Sequence, residues 1–137
     1  DLNEPLYCGE VLVAPIENEF YFQNNGLPLS ANSAWPGPYG PSIDQVIINI
    51  DKNYGSKAGY IIFSGMGNDG ADAIAGLNTT EIPIWAQTSI ACDNSSMPDS
   101  VVATGKVTYT GSPQDLALQL VNYVNNYWVT SYEPTIN

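Results

Sequence analysis

The chain has 137 residues, of which 44% are hydrophobic and only 12% are charged, a composition typical of one folded domain and unlike that of a disordered segment. Three lysines, no arginine and fourteen acidic residues give a net charge of −11, which argues against nucleic-acid and anionic-membrane partners, because both need a basic surface. The sequence contains no histidine, so this chain alone cannot supply a histidine metal ligand or general base. No apolar run approaches the ~20 residues that a membrane span needs.

The first 30 residues predict a strand and a hairpin. Residues 11–14 (Val-Leu-Val-Ala) form a short apolar run that ends at Pro15, which is typical of a buried strand. Residues 19–22 and 27–30 flank the sequence Asn-Asn-Gly, which is a strong hairpin turn. Pro28 lies in the second of these runs, and because proline lacks an N–H it predicts an edge strand.

Residues 42–55 predict a helix. Ser42 and Gln45 have the spacing of a capping box, and Gly55 follows the last apolar position, where glycine commonly ends a helix. The apolar stripe at helical spacing consists of Ile43, Val46, Ile47, Ile50 and Tyr54. This pattern is typical of a helix that packs one face on a core.

The rest of the chain alternates between predicted strands and helices. The predicted strands are residues 60–63, 83–86 and 107–109, and the predicted helices are residues 71–77, 98–103 and a final helix from Pro113, capped by Ser112. The apolar face predicted for the final helix is Ala117, Leu120, Val121, Val124 and Trp128. The pattern predicts an α/β fold, a doubly wound and mainly parallel sheet with an antiparallel hairpin attached.

Residues 64–71 (Ser-Gly-Met-Gly-Asn-Asp-Gly-Ala) are the most informative segment, a glycine-rich turn between a buried strand and a helix. Gly65, Gly67 and Gly70 match the dinucleotide-binding spacing. That site also needs an acidic residue at the end of the next strand, about 20 residues on, to hold the ribose. The next strand ends instead in residues 86–88 (Ala-Gln-Thr). We therefore predict no nucleotide cofactor, and from the absence of histidine we predict no metal site.

Asp69 in this turn has two interpretations. An acid at the carboxyl end of a strand in an open α/β sheet lies where catalytic groups gather, and it can orient a histidine in a nucleophile–base–acid triad. The alternative is that Asp69 only caps the helix that follows it. Spacing alone favours the cap, because such caps are common.

Residues 60–71 resemble the bacterial chemotaxis protein-glutamate methylesterases of the CheB family, whose catalytic domain has an apolar strand followed by Gly-Met-Gly-Asn-Asp-Gly-Ala. Further segments match the family in order from about Gly9 to Trp128. They are residues 9–15 (its strand ending in Ala-Pro), residues 41–44 (its Pro-Ser-Val-Asp), Ala86 and Gln87 with residues 96–98 (its Ala-Gln and Gly-Met-Pro), and residues 104–107 (its Gly-Gly-Val).

The resemblance implies a function and a site. Family members demethylate glutamyl methyl esters on chemoreceptor signalling helices, several also deamidate glutamines there, and they use a Ser-His-Asp triad. The family's aspartate corresponds to Asp69 and its turn methionine to Met66, which either contributes backbone to the oxyanion region or lines the pocket. Met66 as a core residue that fills a gap is the alternative. The active-site neighbours are then Met66, Gly65, Gly67 and Asn68.

The resemblance also bears on domain organisation. The family's serine and histidine precede the segment that matches Gly9, so residues 1–137 correspond to a single domain, the C-terminal portion of the catalytic domain without its N-terminal segment. We expect this chain alone to be inactive. The family further implies a cytoplasmic protein, a receiver domain in cis that belongs to a two-component phosphorelay, and chemoreceptors as partners.

Two departures from the family pattern motivate other hypotheses. Residues 35–40 (Trp-Pro-Gly-Pro-Tyr-Gly) replace a basic loop, and residues 93–95 (Asp-Asn-Ser) replace a more apolar stretch. Both fit a divergent paralogue from a non-flagellar chemosensory pathway, or a pseudoenzyme. The missing basic loop and the acidic surface motivate a second hypothesis, a non-catalytic receptor-docking or regulatory module that kept the fold. A third reading is a secreted acidic α/β domain, in which Cys8 and Cys92 would form a disulfide.

Overall fold

The computed structural model describes residues 4–78 and 81–132, the last five of them (128–132) as backbone only. Its strands are β1 (Phe20–Phe22), β2 (Pro28–Ser30), β3 (Tyr60–Ile62), β4 (Ile84–Gln87) and β5 (Tyr109–Gly111). Its α-helices are α1 (Ile43–Tyr54), α2 (Ala71–Ala75), α3 (Ser96–Val102) and α4 (Pro113–Tyr132). Short 3-10 turns cover Gly55–Lys57 and Ser89–Ala91.

A three-stranded parallel sheet in the order β3-β4-β5 forms the centre of the fold. Side chains that alternate along a strand point to opposite faces of the sheet. Tyr60, Ile62 and Ile84 therefore pack with residues of α1, α2 and α3 in one core cluster. On the other face, Trp85 meets Tyr123 of α4 edge to face. Helices thus cover both faces, and the predicted α/β fold with its parallel sheet is confirmed.

The predicted hairpin is also confirmed, and it packs on the outer side of α1. β1 pairs antiparallel with β2, with Phe20 opposite Ser30. Phe20 and Phe22 are buried with Trp35 in a second cluster against α1. The N–H of Phe22 donates to Oδ1 of Asn49 on α1 at 2.7 Å, which ties the strand to the helix.

The predicted helix caps are present. The hydroxyl of Ser42 accepts from the N–H of Gln45 at 3.3 Å, at the start of α1. At the start of α4, Ser112 and Asp115 bond reciprocally, each backbone N–H donating to the other side chain at 3.1 Å. Each of these caps satisfies backbone donors that a helix start leaves free.

The strand predicted at residues 11–14 is wrong. The segment has no strand hydrogen bonding, and Val11 and Val13 are 89% and 83% exposed. Leu12 and Ala14 pack against the cluster around Trp35, so the segment alternates as a strand would. None of the strands in the described ranges pairs with this segment.

The prediction that the apolar face of α4 is buried is also wrong. Among its described side chains only Leu116 is buried, whereas Ala117, Leu120, Val121 and Val124 are exposed; the Trp128 side chain lies outside the described residues. The helix has 20 residues and is ~30 Å long, whereas three strands span only ~10–15 Å. The sheet is therefore too narrow to cover α4. None of the helices in the described ranges combines the length and apolar character of a membrane span.

Tyr60 carries a polar atom that the core leaves unsatisfied. Its side chain is 7% exposed, and its hydroxyl has no hydrogen-bond partner among the described residues. A buried hydroxyl without a partner costs ~1 kcal/mol or more. We expect Tyr60→Phe to raise the free energy of unfolding at pH 7 by about 1 kcal/mol. Urea denaturation tests this against Tyr21→Phe, which removes an exposed hydroxyl and should change stability little.

The same side chain predicts a pH dependence. Burial, with a smaller contribution from the charge of Asp51, raises the pKa of Tyr60 to about 12 from its ordinary 10.0. Because the folded pKa is the higher one, the Tyr60 hydroxyl does not change the free energy of unfolding with pH below pH 10. The free energy of unfolding then falls as the pH rises from 10 toward 12. Wild type should therefore lose about 1 kcal/mol more than Tyr60→Phe between pH 8 and pH 11. Parallel stability curves for the two proteins would contradict this.

Candidate active site

The glycine-rich turn begins where β3 ends, and the end of β4 holds it there. The N–H of Ser64 donates to Oε1 of Gln87 at 2.7 Å. The other end of the same amide, Nε2 of Gln87, donates to the carbonyl of Ala91 at 2.7 Å. Gln87 is buried, with 6% of its surface exposed. Its side-chain amide therefore joins the start of the glycine-rich turn, after β3, to the 3-10 turn that follows β4.

The segment that leads into α3 holds the middle of the turn. The N–H of Gly65 donates to the carbonyl of Asn94 at 3.0 Å, and the N–H of Met97 donates to the carbonyl of Gly65 at 3.1 Å. The hydroxyl of Ser96 accepts from the N–H of Gly67 at 3.0 Å. The backbone on both sides of Met66 is therefore bound to α3 and the residues just before it.

The same segment carries an acidic group of lowered pKa. Hydrogen bonds from the side chains of Ser89 and Ser95 hold the pKa of Asp99 below its usual value. Its carboxylate lies in the first turn of α3, where a negative charge interacts favourably with the free N–H groups of the helix start. Asp99 is part of the scaffold of this segment, not of the turn itself.

Asp69 is buried, at 3% exposure, and binds the start of α1. Its two carboxylate oxygens accept from the backbone N–H groups of Ile43 at 2.7 Å and Asp44 at 3.0 Å. Asp44 in turn accepts through Oδ1 from the N–H of Ala73 at 2.9 Å, in the first turn of α2. The expectation that Asp69 caps the following helix is wrong, because its carboxylate faces back toward α1 and leaves α2 to Asp44.

Two glycines of the turn have close neighbours and left-handed backbone. Gly70 has φ +97°, and a β-carbon there would lie 2.9 Å from Cγ2 of Ile43. Gly67 has φ +92°, and a β-carbon there would lie 2.9 Å from the hydroxyl oxygen of Tyr39. Side chains are disfavoured at both positions by conformation and by space. Glycine is what allows Tyr39 and α1 to approach the turn so closely.

Ser64, Met66 and Asn68 are the exposed residues of the turn. The Met66 side chain is 78% exposed, so it does not fill a gap in the core. Its backbone N–H makes no hydrogen bond to any described residue. Asn68 is exposed, and its carbonyl accepts from the N–H of Ala71 at 3.2 Å. The turn thus combines a buried carboxylate held by two donors with a backbone donor of an exposed residue that has no partner among the described residues.

The acidic side chains bound at the turn are those of Asp69 and, through the N–H of Ala73, Asp44. One of the three lysines, Lys106, donates to the carbonyls of Ala75 and Leu77 at the far end of α2. Within residues 4–78 and 81–132, no group of three or more histidine, cysteine, aspartate or glutamate side chains is placed to hold a metal ion. Cys8 and Cys92 are free thiols.

A carboxylate oxygen has two lone pairs, so Asp69 retains acceptor capacity beyond its two bonds to α1.

The sequence profile of the CheB methylesterase family matches residues 2–120. The chain belongs to the CheB methylesterase family. The protein-glutamate methylesterase/protein-glutamine glutaminase 3 of Geobacter sulfurreducens is 29% identical over 103 residues, which are 73% of this chain and 28% of that protein. Enzyme 1 of the same name from Myxococcus xanthus is 29% identical over 110 residues, which are 78% of this chain and 31% of that protein.

A solved structure shares the fold. The catalytic domain of the Thermotoga maritima CheB methylesterase superposes with a TM-score of 0.68 at 21% identity, over 80% of this chain and 58% of that domain. The chain therefore spans less than a third of the two curated relatives and somewhat more than half of the catalytic domain. The fold and the family are shown together by these matches.

The turn is recognisable in the sequence, but the residues that hold it in place are not. Three residues that bind the turn lie 23 or more positions away from their partners in the chain. They are Gln87, Asn94 and Ser96. A polar residue at the end of a strand as apolar as β4 was the available signal for Gln87. For Ser96, a serine in a polar segment, no such signal exists.

A pair of glycine variants tests how closely α1 packs on the turn. Gly105 also has positive φ, at +78°, but a β-carbon there would meet nothing within 4 Å. We expect Gly105→Ala to lower the free energy of unfolding by about 1 kcal/mol through backbone strain alone. Gly70→Ala should lower it by about 1–2 kcal/mol more, because the methyl group also meets Ile43. Equal losses in urea denaturation would show that α1 does not crowd Gly70.

Proposed function

We propose that this chain is part of a protein-glutamate methylesterase that hydrolyses glutamyl methyl esters on the signalling helices of chemoreceptors. The observation that carries the proposal is Asp69. It is a buried carboxylate, fixed by two backbone donors, in the turn that follows β3 at the carboxyl end of the parallel sheet, and this turn matches the family's aspartate motif. Its spare lone pairs leave room for one more donor, which suits an acid that orients a histidine.

The proposed reaction is acyl transfer through a Ser-His-Asp triad. A serine hydroxyl attacks the ester carbonyl, and a histidine takes the serine proton and then gives it to the departing methanol. Water, activated by the same histidine, releases the glutamate carboxylate and restores the serine. Asp69 holds that histidine in the required tautomer and stabilises its charged form. The catalytic serine and the histidine come from the part of the catalytic domain outside this chain.

Met66 has a proposed role in the same reaction. Attack on the carbonyl places negative charge on its oxygen, and a fixed backbone N–H is an effective stabiliser of that charge. The N–H of Met66 is unpaired among the described residues and flanked by two tethered glycines. It therefore suits the oxyanion donor, with Gly65, Gly67 and Asn68 as its neighbours.

Several finer points belong to the proposal. The two relatives are named as glutaminases as well as methylesterases, and deamidation uses the same attack on a side-chain carbonyl with ammonia as the leaving group. Glutamine side chains of receptors are therefore candidate second substrates. The proposal also includes a cytoplasmic location and a receiver domain in cis. It further takes residues 1–137 to be the C-terminal portion of one catalytic domain.

A second candidate function is a non-catalytic receptor-docking module. The observation that favours it is that both oxygens of Asp69 already serve the packing of α1, so the residue has a structural reason to be present without catalysis. Binding of a methylated receptor peptide by the complete protein, with no release of methanol, would support this function. Robust demethylation would reject it.

Asp69→Asn in the complete protein should lower kcat by about 10⁴-fold, because an amide cannot hold the histidine in the same tautomer. It should also lower the free energy of unfolding by about 2 kcal/mol, since one α1 donor then faces an amide N–H. Methanol release from methylated receptor peptide measures the first effect. Urea denaturation measures the second and sets conditions in which the variant stays folded.

Asp44→Ala is the matched control for this variant. It removes the acceptor of the Ala73 N–H and should cost about 1 kcal/mol of stability while leaving kcat nearly unchanged. Wild-type turnover by Asp69→Asn would reject the assigned role of Asp69. An equal activity loss in Asp44→Ala would attribute the effect to helix packing.

The purified 137-residue chain should release no methanol from methylated receptor peptide above the rate without protein, because it contains no histidine to act as the base. The complete protein is the positive control in the same assay. Hydrolysis by the chain alone that survives Asp69→Asn would point to a different catalytic apparatus.

A further inference from the structure

Ser96, the first residue of α3, bridges the two peptide groups that flank Met66. Its hydroxyl oxygen lies 3.0 Å from the N–H nitrogen of Gly67 and 3.3 Å from the carbonyl oxygen of Gly65. It also lies 2.8 Å from Oδ1 of Asn94. A serine hydroxyl has one proton to donate and lone pairs to accept. It therefore accepts from Gly67 and donates to Asn94 or Gly65.

These contacts fix the direction of one exposed backbone donor. In a trans peptide group the carbonyl and the N–H point in opposite directions. The carbonyl of Gly65 points toward α3, where the N–H of Met97 donates to it at 3.1 Å and the Ser96 hydroxyl approaches it. The N–H of the same peptide group belongs to Met66, so it points away from α3. That N–H is unpaired among the described residues.

We propose that Ser96 is a positioning residue for the Met66 N–H. Its hydroxyl holds the peptide groups on both sides of Met66 and thereby sets the direction in which this donor points. The inference rests on the proposed function, in which the Met66 N–H stabilises the oxyanion. A donor that is held before the charge develops stabilises it more than one that must reorient, so loss of the Ser96 hydroxyl lowers the rate of the chemical step.

Three variants test the inference with two measurements. Ser96→Ala removes the hydroxyl at an exposed position, and Ser96→Thr restores it. Ser100→Ala removes a hydroxyl of the same helix that donates to the carbonyl of Met97. Amide hydrogen exchange of Gly67 is measured in the 137-residue chain, and kcat and KM are measured separately in the complete protein.

Ser96→Ala should speed exchange at the Gly67 N–H about tenfold, because this donor loses its acceptor. It should lower kcat about tenfold with KM unchanged, because the ground-state contacts with the ester remain. Ser96→Thr should restore both quantities, and Ser100→Ala should change neither. A split between kcat and KM distinguishes positioning from a general loss of folded protein.

Unchanged exchange at Gly67 in Ser96→Ala would overturn the tether. Faster exchange with wild-type kcat would overturn the positioning role, as would failure of Ser96→Thr to restore kcat. A wild-type complete protein without esterase activity would overturn the proposed function and the kinetic role of Ser96 with it. Gly67 exchange would then still decide whether Ser96 holds the turn.

Discussion

The carboxylate of Asp69 and the first two backbone N–H groups of α1 form the contact on which the rest of this structure depends. It joins the loop after β3 to a helix that begins 25 or more residues earlier in the chain. Asp44 makes the return contact to α2. A charged acceptor at a helix start satisfies free donors and interacts favourably with the helix dipole. The two starts of α1 and α2 are thereby fixed relative to each other and to the end of the sheet.

The turn owes its shape to neighbours on three sides. β4 holds its first residue through Gln87, the segment before α3 holds its middle, and α1 holds Asp69. Residues 64–70, with three glycines, would be a mobile loop in isolation, since glycine restricts the backbone least. Here the same glycines let Tyr39 and Ile43 approach closely. Met66 lies exposed between two bound glycines, which suits the role proposed for its N–H.

Local features were predictable from the sequence, and features that depend on distant neighbours were not. The cap at Ser42 and the hairpin around Gly26 follow from residues within a few positions of each other, and both are present. The site turn was recognisable because its glycines and its acid are contiguous. The roles of Gln87 and Ser96 depend on which strand and helix lie beside the turn, which spacing does not reveal. The strand at residues 11–14 and the burial of the α4 apolar face were mispredicted because burial depends on the width of the sheet, not on the pattern of one segment.

The contact of Asp69 with α1, beside its proposed catalytic role, has an evolutionary consequence. A lineage that lost its nucleophile would lose hydrolysis, yet replacement of this aspartate would still disrupt the start of α1. Selection for a folded protein alone is then sufficient to retain it. The aspartate of this turn is therefore a poor marker of active members, and the flanking Met66, whose exposed side chain has no structural duty of this kind, is free to drift once catalysis is gone. Divergence at the exposed position beside a retained acid would be the signature of an inactive descendant.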